Sequence, residues 1–227
     1  MQLKGLFIMS LCALTSAAPS PGSTIVKIVN NCRKTIQLGQ LSNNQEPQSA
    51  MPIRSGKSKT YTFHGTWSGR FWAREDCTGS SCQIAGAAYP ASLAEFTFRA
   101  AGGNDFYDLS FVDGYNLPLS ITPVNPKEDG SSKYWCGAPS CDIAPTCPPE
   151  LQMRENGVYV GCQSACSKFG NPEYCCAGAF STPDKCPMNR YARVIKNACP
   201  DAYSFAYDDK ESLYQCSAPA YVVTWCP

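Results

Sequence analysis

The chain has 227 residues, with 19 Lys and Arg against 18 Asp and Glu, so its formal net charge is +1. A near-neutral chain lacks the strong positive charge of proteins that bind nucleic acid, so nucleic acid is not an expected partner. A chain of this length can bury one sizeable core. His64 is the only histidine, which disfavours a zinc site of paired Cys and His. We expect no metal and no other cofactor.

Residues 1–17 have the layout of a secretory signal peptide. Lys4 precedes an apolar run over residues 5–14, and small residues follow at 15–18. We expect cleavage after Ala17 or Ala18 and a secreted, extracellular chain over 18–227, with a first core strand or helix as the alternative for this segment. The apolar run is shorter than the roughly 20 residues that span a bilayer, and no other segment approaches that length. No transmembrane segment is therefore expected, and the chain should be a monomer.

The cysteines predict a disulfide framework. Of the 15 Cys, Cys12 lies in the predicted signal, which leaves fourteen, and in an exported chain an even number implies seven disulfides. Their pairing cannot be deduced from the count alone. Only three lie between residues 25 and 134, whereas six lie between 147 and 186. This distribution predicts a β-rich body with a Cys-rich lobe at about 141–199.

The body shows repeated strand patterns in chain order. Apolar and polar side chains alternate, and Gly, Pro and Asn lie between the runs, which favours an antiparallel sandwich or barrel. Gly102 and Gly103 predict a hairpin turn. The predicted strands cover residues 23–29, 58–63, 69–74, 93–99, 106–112, 117–122 and 220–225.

The lobe contains three predicted short helices. The first begins at Pro148-Pro149 and extends to Met153 or Arg154. The second covers residues 162–169, places Cys162 and Cys166 on one face, and ends at Gly170. The third covers residues 187–197.

Three acids, Glu95, Asp108 and Asp113, lie in or just after β-prone apolar runs, where acids are rare. Such a carboxylate cluster can bind a polyol or cleave a glycosidic bond, which needs one carboxyl as acid and another as base or nucleophile. We assign Glu95 as the acid and Asp108 or Asp113 as the base or nucleophile. The structural alternatives are that Asp113 shapes a turn before Gly114, and that Asp108 pairs with Arg70 across strands.

Several motifs together resemble the thaumatin-like proteins, also known as pathogenesis-related group 5. The resemblance implies a mainly β fold, an antiparallel β-sandwich with disulfide-rich loop lobes that contain short helices, and a cleft between the sandwich and the Cys-rich lobe. The matching stretches are SGRFWARED-C (68–77), LAEFTF (93–98), DFYDLSFVDGYNLPLSITP (105–123), CQSACSKF (162–169), PEYCC (172–176) and CPDAYSFAYDD (199–209).

The resemblance also implies a disulfide pairing. The family usually has sixteen Cys, with a longer insertion after the WAR motif that is shortened here, so we infer a bridge within the sequence CTGSSC and a lower cleft wall. The shortened loop favours a fungal or other non-plant member. The inferred pairs are Cys32–Cys226, Cys77–Cys82, Cys136–Cys216, Cys141–Cys199, Cys147–Cys162, Cys166–Cys175 and Cys176–Cys186.

The family's acidic cleft contains an Arg, a Glu and three Asp. By motif, the first four correspond to Arg70, Glu95, Asp108 and Asp113, which makes the acids candidate catalytic residues and Arg70 a substrate-binding residue. The fifth corresponds to Asp208 or Asp209, a segment that can also be a solvated loop. The remaining candidate substrate-binding residues are Asp208, Asp209 and Tyr115.

The implied function is binding of β-1,3-glucan or a related cell-wall polysaccharide in the cleft, with weak endo-β-1,3-glucanase activity. Two alternatives belong to other classes of function. One is a non-enzymatic antifungal or defence protein that acts on walls or membranes. The other is an inhibitor of a secreted enzyme, a role that relatives hold through surface loops.

Overall fold

The computed structural model describes residues 22–46, 48–77, 79–86, 88–127 and 132–227. The predicted signal peptide lies outside the described residues. Within them, no helix is long and apolar enough to cross a membrane. The strands are β1 Ser23–Asn30, β2 Ile36–Ser42, β3 Met51–Ile53, β4 Ser58–His64, β5 Trp67–Arg74, β6 Leu93–Phe98, β7 Asp105–Ser110, β8 Gly114–Tyr115, β9 Leu119–Val124, β10 Ser140–Cys141, β11 Gln152–Glu155, β12 Val158–Gln163, β13 Ala202–Tyr203, β14 Tyr214–Cys216 and β15 Ala220–Trp225. The helices are α1 Ala165–Phe169, α2 Pro172–Cys175, α3 Arg190–Ala198 and α4 Asp209–Ser212.

Two large sheets enclose the core. One has the strand order β10-β9-β15-β1-β4, and the other has the order β13-β7-β6-β5-β2-β3, with β14 also paired to β7. Between them, the rings of Phe96 and Phe98 contact Tyr221 on β15, with centroid distances of 5.5 and 5.8 Å. The predicted mainly β sandwich is confirmed. Most neighbouring strands are antiparallel, but β1 and β15 pair in parallel.

The lobe contains a small sheet, β11-β12-β8, and the short helices. Seven disulfides join the cysteines of the described residues, and each predicted pair is found. They are Cys32–Cys226, Cys77–Cys82, Cys136–Cys216, Cys141–Cys199, Cys147–Cys162, Cys166–Cys175 and Cys176–Cys186.

The prediction of one helix carrying both Cys162 and Cys166 is wrong. Cys162 lies in β12, where it pairs with Tyr115 of β8 and Gln152 of β11. The helix begins only after Ser164, whose side chain accepts a hydrogen bond from the backbone N–H of Ser167. A serine cap at this point lets the chain leave the sheet directly into the helix. The end of this helix at Gly170, with φ of 66°, is as predicted.

The predicted helix after Pro148 is reduced to one 3₁₀ turn over Pro149–Leu151, and strand β11 follows at once. The chain then turns at Asn156 and Gly157, which have φ of 49° and 82°, into β12. Asn-Gly between two strands is a strong hairpin signal. Asn156-Gly157 is such a signal, and it favours a hairpin over a continued helix.

Candidate functional site

Three charged side chains form a row across the seven-stranded sheet. Arg70 on β5 lies directly opposite Glu95 on β6, and Glu95 lies directly opposite Asp108 on β7. Because successive residues of a strand point to opposite faces, their neighbours Phe71 and Phe96 enter the core while the charged row faces outward. Opposed residues have Cβ atoms about 4.5–5.5 Å apart, so the sheet brings the two carboxyl groups close together.

Asp113 joins this row from the turn that follows β7. The backbone N–H of Gly114, with φ of 112°, donates to the carbonyl of Phe111 at 3.0 Å and closes the turn. Asp113 Oδ2 lies 3.9 Å from a guanidinium nitrogen of Arg70. Asp113 therefore both shapes a turn and faces the site. The alternative pairing of Arg70 with Asp108 does not form, because Glu95 lies between them in the sheet.

Burial raises the pKa of Glu95 above its usual range. The Arg70 guanidinium and a hydrogen bond from Ser110 act in the opposite direction, and the charge of Asp113 raises the pKa further. The net effect favours the protonated form of Glu95 at mildly acidic pH. A raised pKa is the property required of a general acid.

Asp108 is the most strongly perturbed acid of the row. Burial raises its pKa well above the ordinary value, and the negative charges of Glu95 and Asp209 add to the effect. Its Oδ1 atom is enclosed and has no hydrogen-bond partner among the described residues. Two close carboxyl groups that both favour protonation titrate as a coupled pair.

The structure separates the two candidates for the fifth acid. Asp208 is 5% exposed, accepts hydrogen bonds from the backbone and hydroxyl of Ser204, and pairs with Lys196 Nζ at 3.0 Å. Its carboxylate is thus bound inside the lobe and does not reach the row. Asp209 is exposed, accepts a hydrogen bond from Tyr203 at 3.0 Å, and acts electrostatically on Asp108. Asp209 is the acid that the fold brings to the site.

The carboxyl pair lies in the middle of a surface groove. A depression of about 230 Å³ extends from Glu95 and Asp108 toward Asn43 and β5, and another of about 220 Å³ extends toward Asp113 and Tyr203. Glu95 and Asp108 line both depressions. An elongated ligand could therefore lie across the pair with a segment on either side.

The segments 82–86 and 88–90, which form the wall beside Asp113 and Arg70, are held by the outward face of β5. The indole of Trp72 donates to the carbonyl of Cys82 at 3.0 Å, and Arg70 donates to that of Ala85 at 3.4 Å. Arg74, which is 2% exposed, binds three further backbone carbonyls in the wall. Its acceptors are the carbonyls of Ile84 at 2.9 Å, Tyr89 at 2.7 Å and Pro90 at 2.7 Å.

The model of the thaumatin family matches residues 30–227, which is most of the chain. The chain belongs to the thaumatin family.

Two curated relatives and one solved structure illustrate the likeness. The pathogenesis-related thaumatin-like protein 3.5 of Cryptomeria japonica is 40% identical over 227 residues, covering 91% of this chain and 91% of the relative. A glucan endo-1,3-beta-glucosidase of Prunus avium is 40% identical over 226 residues, covering 89% and 90%. A β-1,3-glucanase domain (GH64) from Clostridium beijerinckii has a TM-score of 0.60 at 9% identity, covering 92% of this chain and 100% of that one, which shows the fold alone. These likenesses do not test the preference for a non-plant origin.

The aromatic residues near the acids divide into core and site. In this thaumatin-family chain Trp72, Tyr107 and Tyr115 are 1%, 0% and 3% exposed, so their rings pack in the interior. The ring of Tyr115 contacts Phe111 at 5.3 Å, and the structure does not bring it to the groove. Tyr203, by contrast, is partly exposed and lines the depression beside Asp113.

One residue of the site, Ser110, is absent from our sequence-based set. Ser110 hydrogen-bonds to Glu95, and Tyr203 pairs with Ser110 through the parallel contact of β13 with β7. Ser110 shares the outward face with Asp108, two residues earlier, so strand alternation alone could have identified it. The sequence places Tyr203 among several aromatic residues near the acids, but local pattern does not distinguish it from those that pack in the core, because β13 has only two residues and its place depends on the lobe.

Proposed function

We propose that this thaumatin-family protein is a secreted defence-type protein that binds β-1,3-glucan along the groove and hydrolyses it slowly. The observation that carries the proposal is the opposed pair of Glu95 and Asp108, with raised pKa values, at the centre of an open groove. Seven disulfides favour an oxidising, extracellular location. The relative from Prunus avium, whose name states this activity, supports the choice of glucan.

Binding would use polar groups on one side of the pair and an aromatic ring on the other. Asn43, Ser68 and Thr97 supply an amide and hydroxyls to one depression. Tyr203 supplies a ring with a polar tip to the other. Amides and hydroxyls can bind sugar hydroxyls, and a flat ring suits the apolar face of a pyranose.

For cleavage, Glu95 would protonate the leaving glycosidic oxygen. The Oδ1 atom of Asp108 is enclosed, and burial raises the pKa of this carboxyl, which disfavours the carboxylate that a nucleophile requires. Asp113 is more exposed and lies beside Arg70. We assign Asp113 as the base that activates water, and Arg70 as the residue that positions it.

The decisive assay compares the purified protein with variants on linear and branched β-1,3-glucan. We expect reducing ends from the wild type, and at least a hundredfold loss in Glu95→Gln, because general acid catalysis contributes about 10²–10⁴-fold. Glu173→Gln changes an exposed acid on α2 and is the matched control. Product that forms at the same rate in Glu95→Gln and wild type would reject this cleft as the catalytic site.

The anomeric form of the first product separates the two assignments of the second carboxyl. Water activated by Asp113 would give inversion and the α-anomer. Attack by Asp108 would give retention and the β-anomer, since retaining pairs lie only about 5–5.5 Å apart. Proton NMR of the reaction within its first minutes reads the anomer directly.

A second candidate function is glucan binding without cleavage. The ion pair of Asp113 with Arg70 favours it, because the guanidinium lies 3.9 Å from a carboxylate oxygen that would otherwise be free to bind the attacking water. In that case glucan pull-down by the wild type would occur without product. Weaker pull-down by Tyr203→Ala, with no reducing ends from any variant, would support this function.

A further inference from the structure

One aromatic ring on the outward face of β7 has no place in the core. Phe106 precedes Asp108 by two residues, so it points to the same face of the sheet, about 7 Å away along the strand. It is half-buried and lines the depression that extends toward Asn43. Among the described residues its ring contacts no other aromatic ring, and it is not one of the partly buried side chains that pack against the core. The ring is therefore a surface feature of the groove.

A row of polar side chains runs across the sheet from Phe106. Phe106 lies directly opposite Thr97 on β6, and Thr97 lies directly opposite Ser68 on β5. The hydroxyls of Ser68 and Thr97 are hydrogen-bonded at 2.9 Å, and the side-chain amide of Asn43 donates to Ser68 Oγ at 2.9 Å. Leu213 adds apolar surface to the same depression. The depression thus combines an apolar part with a connected set of hydroxyl and amide groups.

The rings of Phe106 and Tyr203 lie on opposite sides of the carboxyl pair. Phe106 lies two residues before Asp108, and Tyr203 pairs with Ser110, two residues after it. Phe106 and Ser110 are about 14 Å apart along the strand. A chain-like ligand that follows β7 would therefore cross the row of charged side chains between one ring and the other.

We propose that Phe106 is the stacking surface of a second sugar subsite, so that the groove binds an internal segment of a glucan chain between two rings. A pyranose has an apolar face of C–H groups and a rim of hydroxyls. Phe106 suits the apolar face, and Thr97 and Asn43 can exchange hydrogen bonds with the rim. This assignment rests on the proposed function, glucan binding in the groove. The structural alternative is that Phe106 only packs on Thr97 across the strands and stabilises the sheet.

The test measures binding of a β-1,3-linked glucose hexasaccharide to the purified protein by calorimetry and NMR. Phe106→Leu keeps an apolar side chain but removes the ring, whereas Phe106→Tyr keeps the ring. Thr97→Val keeps the shape of the side chain and removes its hydroxyl. Phe169→Leu makes the first change at an exposed ring of α1 that lines neither depression, and is the matched control.

We expect Phe106→Leu to weaken hexasaccharide binding about tenfold, because one aromatic contact is lost. Thr97→Val should weaken it about fivefold, as for one neutral hydrogen bond. Phe106→Tyr and Phe169→Leu should bind as the wild type does. In the wild type, C–H protons of one sugar unit should shift upfield and show nuclear Overhauser effects to the ring protons of Phe106. A purely structural role of Phe106 would not produce these signals.

The outcomes separate this subsite from the proposed function. Equal affinities of the wild type and Phe106→Leu would overturn the subsite and leave glucan binding intact. Weaker binding by Phe106→Leu without ring-to-sugar signals in the wild type would also overturn it, because the ring would then act only through the fold. No binding by the wild type would overturn glucan binding and the subsite together. The wild-type signals and Thr97→Val keep the test decisive if Phe106→Leu fails to fold.

Discussion

Asp108→Asn should stabilise the protein at neutral pH while abolishing any role of this acid in the groove. The wild-type carboxyl has an enclosed oxygen without a hydrogen-bond partner and lies opposite Glu95. Asparagine has nearly the same size but carries no charge. The substitution therefore removes the electrostatic cost of this position and disturbs the packing little.

The expected gain follows from burial. An unpaired buried polar group costs about 1–3 kcal/mol, and a charged one costs more; asparagine keeps a polar group at this position and removes only the additional cost of the charge. We therefore expect about 1–3 kcal/mol at pH 7, or a rise in Tm of roughly 2–10 °C for a domain of this size. The pKa of Asp108 is raised in the folded state, so the destabilisation is complete above the folded pKa and vanishes below the unfolded pKa of about 3.9. The gain from Asp108→Asn should thus disappear near pH 3.5.

Thermal unfolding of the wild type and Asp108→Asn at pH 7 and pH 3.5 measures this dependence. Asp184→Asn changes an exposed acid of the lobe and serves as the control, with no expected shift at either pH. A loss of stability in Asp108→Asn at pH 7 would refute the interpretation. An equal gain at both pH values would also refute it, because the benefit would then not come from removing a charge.

Three further predictions concern the lobe, the wall and the framework. Asp208→Asn should lower the free energy of unfolding by about 3 kcal/mol, because it breaks the buried ion pair with Lys196. Asp209→Asn should leave the free energy of unfolding nearly unchanged. It should lower the pKa of Asp108 in an NMR titration, because it removes a nearby negative charge. Equal stability of these two variants would contradict the assignment of the fifth acid. Arg74→Met should cost about 3 kcal/mol, since three wall carbonyls lose their donor, and should speed hydrogen exchange at residues 82–86 and 88–89. Unchanged exchange at these residues would show that the wall does not depend on Arg74. Replacing Cys32 and Cys226 by Ser should cost about 5 kcal/mol in urea unfolding, given their separation of 194 residues, and a cost below about 1 kcal/mol would contradict the chain-entropy argument.

Much of the site could be predicted because it depends on strand alternation. Arg70, Glu95 and Asp108 each occupy an outward position of a strand with a clear period of two, so the strand assignment also gave the face. The choice between Asp208 and Asp209 could not be predicted. Adjacent acids in a short loop have no periodicity, and only the positions of Lys196 and Ser204 show which carboxylate turns inward.

The amino-acid sequence by itself determined a mainly β body with a Cys-rich lobe, and its resemblance to the family implied the sandwich, the disulfide pairing and the set of acids that could form a cleft. The β body and the uneven distribution of cysteines follow from local patterns, which do not need the third dimension, whereas the other properties follow from the family motifs. The tertiary structure decided which strands become neighbours, and so placed Glu95 against Asp108 and Tyr203 beside them. It also decided that Tyr115 lines an apolar cavity instead of the groove. Burial and pKa depend on contacts between distant segments, and the order of residues in the chain does not contain those distances.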